Sequence, residues 1–442
     1  MISTLTASPF LTDIDPQAAI KGSRDPLGIQ PIWTRLGRHV VGNLTTVSSS
    51  VRDFTTTILG YYFAERVANE EGGDSELAVF LRWEQLAAYA RGGINNDWEF
   101  RGTERAKKNF NEGGKLRLGT DSASLILSDQ KTYGLWGLYS VASRSSGLLA
   151  EDPTRVTPIV RKFIEDEYLS TLSGKESRNA SGIVRLLARK SSELRPLDRD
   201  RPLFQAVGRV LQRKLSSRER EFYRGHLAEG GPEDRTGGGQ RVLVEALKTT
   251  FDIEDWSLGP VAIRHLAKQC REPDGRGVKV ADFLERIRVA ELLLAPAARL
   301  FMLLLGCDAQ LPREVSVAVR KRWGHKVTSI VPSAIEGIRG EFGDAQDEPA
   351  SSDRWVGLAH ALASGDYDVA LSLLLEQNRA VMVSRGSAAP WVEIREGKLH
   401  VRFLEESGTQ LPTKSELPSL GINSYFIDSL RTIAMQVEGR DG

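Results

Sequence analysis

Two carboxylates stand two residues apart at Asp366 and Asp368, in the run SGDYDVA. In an extended segment that spacing puts both on one face, where they could share a metal ion. At the start of a helix they point apart and the first becomes an N-cap. We read Asp366 as such a cap. A second acidic pattern is Glu396 and Lys398 in REGKLHV, the carboxylate-x-Lys arrangement that holds magnesium and activates water in metal nucleases. Gly397 stands between them as a hairpin-turn signal, so both side chains are expected at the tip of a turn.

Other catalytic chemistry lacks its residues. The six histidines, His39, His226, His265, His325, His360 and His400, show no i, i+4 ligand spacing. The two cysteines, Cys270 and Cys307, lie in apolar helical runs and are expected to act as small buried hydrophobes. The GGGQR run at Gly237 lacks the Lys-Ser/Thr of a phosphate-cradling loop, and no Gly-x-Ser-x-Gly elbow occurs. No catalytic residue, cofactor or metal is therefore assigned, and an enzyme is not the expected class.

Basic residues carry the stronger signal. From Arg178 to Arg224 there are thirteen bases against five acids, in a chain whose 59 bases and 58 acids otherwise balance to +1. Arg185, Arg189 and Lys190 are neighbours if helical, as are Arg209, Arg213 and Lys214. Such stripes neutralise backbone phosphates without reading sequence, or else form a solvated face or an interface to an acidic protein. A smaller cluster holds Arg101, Arg105, Lys107, Lys108, Lys115 and Arg117; its NEGG run breaks a helix, so its second half is expected to be loop.

These residues need elements to hold them. In SELAVFLRWEQLAAYARGG, Ser75 caps a helix, Leu77, Phe80, Leu81, Leu86 and Tyr89 form its apolar stripe, and Gly92-Gly93 is expected to end it. TTVSSSVRDFTTTILGYYFAERVA predicts a helix ending near Asn69. VAELLLAPAARLFMLLLGC contains Glu291, Pro296 and Arg299, which argues against a membrane span and for a buried helix pair. APWVEIREGKLHVRFLEE predicts a hairpin turning at Glu396-Gly397, and SYFIDSLRTIAMQVEG a closing helix with Phe426, Ile427, Leu430, Ile433 and Ala434 inward.

Between Ser122 and Leu172 the pattern is helix, short strand, polar loop, return strand and helix. Tyr133, Trp136, Leu138, Tyr139, Val141 and Ala142 give the first helix a broad apolar face, and Thr157 with Pro158 starts the last. This order resembles a winged helix-turn-helix. The resemblance implies a helix in the major groove, with Lys131, Arg144 and the wing's Arg155 as contacts, or a protein-docking module. Trp136 and Tyr139 themselves are expected to pack.

Hydrophobic residues make up 40% and charged residues 26% of the 442, a globular balance. EGGPEDRTGGGQ (Glu229 to Gln240) and GEFGDAQDEPASSD (Gly340 to Asp353) read as exposed linkers or long loops. The expectation is a mainly α, multi-domain fold with a winged-helix-like segment and a small C-terminal β-hairpin. Its divisions are 1–120, 121–229, 240–340 and 354–442. The function expected is a non-catalytic component of a bacterial multi-protein complex acting on or near nucleic acid, in an antiphage-defence or mobile-element setting. Protein partners are expected, with DNA or RNA meeting the local basic surface. The start of the chain lacks a signal-peptide pattern, so a cytoplasmic protein away from membranes is expected. Two alternatives stand: a metal-dependent nuclease whose site is assembled from sequence-distant residues, and a purely protein-binding scaffold.

Overall fold

The computed structural model describes residues 25–71, 74–172, 181–271, 277–343, 350–386, 389–404 and 410–440. The fold is mainly helical. In chain order come α1 (Ile29–Arg38), α2 (Val51–Glu70), α3 (Glu76–Asn95), α4 (Thr103–Gly113), β1 (Leu116–Gly119), α5 (Gln130–Tyr133) and α6 (Leu135–Ser145). Next are α7 (Pro158–Glu167), α8 (Leu169–Leu172), α9 (Ser181–Ala188), β2 (Ser191–Leu194), α10 (Arg201–Val210), α11 (Ser217–Tyr223) and α12 (Gly239–Lys248). Then follow α13 (Pro260–Arg271), α14 (Val278–Leu304), α15 (Pro312–Trp323), α16 (Pro332–Gly337), α17 (Ala350–Ser364) and α18 (Tyr367–Ser384). The hairpin β3 (Val392–Arg395) and β4 (Lys398–Val401) and the helix α19 (Ile427–Glu438) close the series. Two compact units emerge, each discontinuous in sequence: 1–40 with 255–425, and 41–254 with 426–442.

The 41–254/426–442 unit is built on the hairpin of α2 and α3, buried over most of their length. Burial of α2 requires its three consecutive threonines to be satisfied. Thr55, Thr56 and Thr57 donate their hydroxyls to the carbonyls four residues back, at 3.1, 2.8 and 2.7 Å. Ser75 caps α3 by accepting from the Ala78 amide at 3.3 Å. The helix does not stop at Gly92-Gly93 but runs to Asn95, with Asn96 left-handed at φ 53°. The two glycines instead make room for rings: a Cβ on Gly92 would lie 2.3 Å from Trp98, and one on Gly93 would lie 2.1 Å from Phe110. After α4 the segment expected as loop is the strand β1. It pairs antiparallel with β2, Leu116 opposite Leu194 and Gly119 opposite Ser191.

α6 packs on α2, with Tyr139 edge-on to Phe54 and Trp136 stacked on Tyr61. Tyr133 and Val141, placed on the inward face by sequence, are about half exposed at 51% and 50%. After α6 a single antiparallel bridge joins Leu149 to Val156, and α7 follows with Pro158 at its first position. Thr157 does not cap α7 with its side chain; its hydroxyl donates to the Gly147 carbonyl at 3.2 Å. The Glu229 to Gln240 loop is tied internally by Asp234, which accepts from the Thr236 and Gly238 amides. α19 brings Ile427, Leu430, Ile433 and Val437, all fully buried, against α2, α11 and α12.

In the 1–40/255–425 unit, α13 pairs with α14 and α17 with α18. α14 is one continuous helix of 27 residues through Pro296, not a helix pair. The flanking turns carry it past the proline because Leu293, Leu294, Ala295 and Ala297 are all fully buried. Its fully buried Glu291 accepts from the Ile422 amide at 2.6 Å, the Asn423 amide at 3.2 Å, Asn423 Nδ2 at 2.8 Å and the Tyr425 hydroxyl at 2.6 Å. β3 and β4 pair in the register Val392 to Val401 and Ile394 to Leu399. The turn between them has Glu396 at φ 51° and Gly397 at φ 78°, the two left-handed residues that a two-residue hairpin of right-handed twist requires. In the Gly340 to Asp353 run, residues 344–349 lie outside the described residues, and α17 already begins at Ala350.

Candidate functional site

The basic segment lies in the 41–254/426–442 unit, where neither expected helical stripe persists. α9 ends at Ala188, so Arg185 is helical while Arg189 and Lys190 lie in the turn to β2. α10 ends at Val210, so Arg209 is in its last turn while Arg213 and Lys214 lie in the loop to α11. Arg178 lies outside the described residues.

A buried arginine holds each of these two turns from below. Arg82 of α3, 1% exposed, donates Nε to the Leu187 carbonyl at 2.9 Å and Nη1 to the Lys190 carbonyl at 3.4 Å. Its charge is met by Asp74 at 2.8 Å. Arg52 of α2, 3% exposed, donates Nε to the Gln212 carbonyl at 2.6 Å and Nη2 to the Lys214 carbonyl at 3.1 Å. It is ion-paired with the buried Glu219, which also accepts from the Tyr168 hydroxyl at 2.9 Å. Burial alone would lower the Arg52 guanidinium, but the Glu219 carboxylate outweighs it and holds the group raised. The backbones carrying Arg189, Lys190, Arg213 and Lys214 are thus fixed by charge-assisted hydrogen bonds, while those four side chains are exposed.

Other bases of the segment have acids beside them: Arg195 with Asp198, Arg199 with Asp200, Arg218 with Asp166, and Arg224 with Glu438. Arg213 is ion-paired with the exposed Glu99. Arg185, Arg189, Lys190, Arg209 and Lys214 are exposed, and the described residues supply them no carboxylate within 4.0 Å.

Behind Arg213 lies a polar cavity of about 280 Å³ lined by Arg52, Arg91, Asp97 and Glu99 among others. Arg91 meets Asp53 at 2.5 Å and Asp97 at 2.9 Å. The guanidinium groups of Arg52, Arg91 and Arg213 are matched by Glu219, Asp53, Asp97 and Glu99, so the cavity offers no surplus positive charge. Nearby, Glu84 is buried without a cation. It accepts from the Leu135 amide and from Gln130 Nε2, both at 2.7 Å, and caps the start of α6. Burial pushes its carboxyl up to about 7.

Lys131 and Arg155 are exposed on α5 and on the loop before α7, and Arg144 is half-buried in the last turn of α6. One face of α6 is turned into the core: Leu135, Tyr139, Ser140, Ala142 and Ser143 are buried, while Gly137 and Val141 are exposed.

Sequence inspection passed over Arg52, Arg82 and Arg91. For Arg82 and Arg91 the signal was present, as charged residues inside apolar helical runs, but Arg52 stands among polar neighbours. The carboxylate patterns resolve into local structure. Asp366 caps α18 by accepting from the Val369 amide at 3.2 Å, and Asp368 accepts from Ser316. Glu396 sits in the hairpin turn and Lys398 directly after it. Among the described residues no three His, Cys, Asp or Glu side chains gather as a metal site, and no helix is long and apolar enough to cross a membrane. Comparison with known proteins finds no matching family model, no matching curated protein and no matching solved structure.

Proposed function

We propose that this chain is a cytoplasmic, multi-domain, non-catalytic component of a multi-protein complex that lies against nucleic acid. Its exposed cations neutralise backbone phosphates. One observation carries this: two turns bearing exposed bases are each held at their carbonyls by a buried arginine. Fixed loops lose little conformational freedom on binding, so a phosphate meets charge already in place. Contacts of this kind position without reading base sequence. In the same reading, segment 122–172 is a winged-helix-like element that docks protein. The burial of α6 supports that role over entry into a groove, and leaves Lys131, Arg144 and Arg155 as peripheral contacts.

The test is fluorescence anisotropy with labelled duplex DNA and RNA across roughly 50–200 mM salt. Binding should weaken linearly on a log–log plot. The triple variant Arg209→Glu, Arg213→Glu, Lys214→Glu should reduce the slope by roughly one for each phosphate left without its cation. The fold should survive, because Arg52 grips carbonyls in this loop, not the altered side chains. Absence of binding at low salt to either nucleic acid would leave the basic surface to a protein partner and sink the proposal.

A further inference from the structure

The 1–40/255–425 unit contains a cavity of about 380 Å³, independent of the basic segment. Its walls come from the start of α13, the middle of α14, the 328–331 loop and α16. Val289 and Leu292 of α14, three apart on one helical face, form its floor with Ile335 of α16. Val261 and Val331 stand at its edge, 51% and 53% exposed, so aliphatic surface is left open to water there.

The polar lining is small and one-signed. Two arginines, Arg264 and Arg288, and two hydroxyls, Thr328 and Ser329, face this space, and no acid does. Arg288 is already ion-paired with Glu285 at 2.7 Å. Arg264 is exposed and meets no carboxylate within 4.0 Å among the described residues. An aliphatic floor, a few convergent polar groups and this volume are the attributes of a small-molecule site.

We infer that this cavity binds a small amphipathic carboxylate. The aliphatic body lies on Val289, Leu292 and Ile335, and the carboxylate is met by the Arg264 guanidinium. A cation of the same shape has no partner here.

The test uses the full chain and titration calorimetry with decanoate below its micellar concentration. Decyltrimethylammonium supplies the same chain with the opposite charge. Decanoate should bind and the ammonium should not. Arg264→Glu should weaken decanoate at least roughly tenfold, the scale of one charge-assisted hydrogen bond, with thermal stability unchanged because Arg264 is exposed. Val289→Trp should fill the floor and abolish binding; should that variant not fold, Val261→Glu at the exposed edge serves in its place and should weaken decanoate by like-charge repulsion while leaving the melting temperature intact. No decanoate binding, equal binding of the two chains, or full affinity in Arg264→Glu would overturn the inference.

Discussion

Glu84 sits in the interior of its unit with two hydrogen bonds and no cation, and this sets a pH dependence. Its carboxyl ionises near 4.5 in the unfolded chain and near 7 in the fold, chiefly because burial disfavours the charge. Below about 4.5 both forms are protonated and the site contributes nothing. Between these values the unfolded chain releases its proton first, so stability falls as pH rises. Above about 7, with both forms ionised, the loss is about 3 kcal/mol. Glu84→Gln cannot ionise. Urea melts of variant and parent at about pH 5 and about pH 8 should show their difference moving by about 2.5 kcal/mol in the variant's favour. A difference that stays constant with pH would assign the titration to another group. Asp53 lies close enough to raise Glu84 further, so neutralising Asp53 should lower the pH at which the slope ends and shrink the total loss.

Helices α3 and α9 offer a paired test of what a glycine does inside an element. Gly92→Ala and Gly93→Ala each drive a methyl into a ring and should destabilise by roughly 1–3 kcal/mol through overpacking. Gly182→Ala, with nothing within 4 Å of the added carbon, should stabilise by roughly 0.5–1 kcal/mol. Thermal denaturation separates the cases by sign; a stabilising Gly93→Ala would show that Phe110 has room to move. This contrast also explains what was legible in the sequence. A Gly-Gly pair is both a stop signal and a site of close approach, and only the distant ring decides which. Signals complete within a few residues were readable. Ser75 and Asp366 cap their helices, and Glu396-Gly397 turns its hairpin. Signals completed from afar were not. β1 and β2 are separated by several helices, so neither four-residue strand announces its partner. Arg52 looks like a surface charge until Glu219, 167 residues on, is placed beside it. The basic residues were visible by count, but the ends of α9 and α10 that move Arg189, Lys190, Arg213 and Lys214 off their helices were not.

At the scale of the molecule, α19 is a late element with an early task. Its residues Leu430 and Ile433 are fully buried in a unit whose helix α2 begins at Val51. Leu430→Ala should cost about 2–5 kcal/mol through the cavity it leaves. Hydrogen exchange should locate the loss in the amides of α2, α11 and α12; unchanged protection there would mean that α19 merely decorates its unit.

The interleaving of the two units also has a consequence in time. Residues 1–40 belong with a body that begins at residue 255, and residues 41–254 await a helix that ends at Glu438. A ribosome making this chain from the N-terminus therefore finishes neither unit early. The first helix, α1, emerges more than two hundred residues before the α14 surface it packs on. Until α19 emerges, the nascent chain carries apolar faces on α2, α11 and α12 whose cover has not yet been made. The 41–254/426–442 unit can close only once α19 has been made.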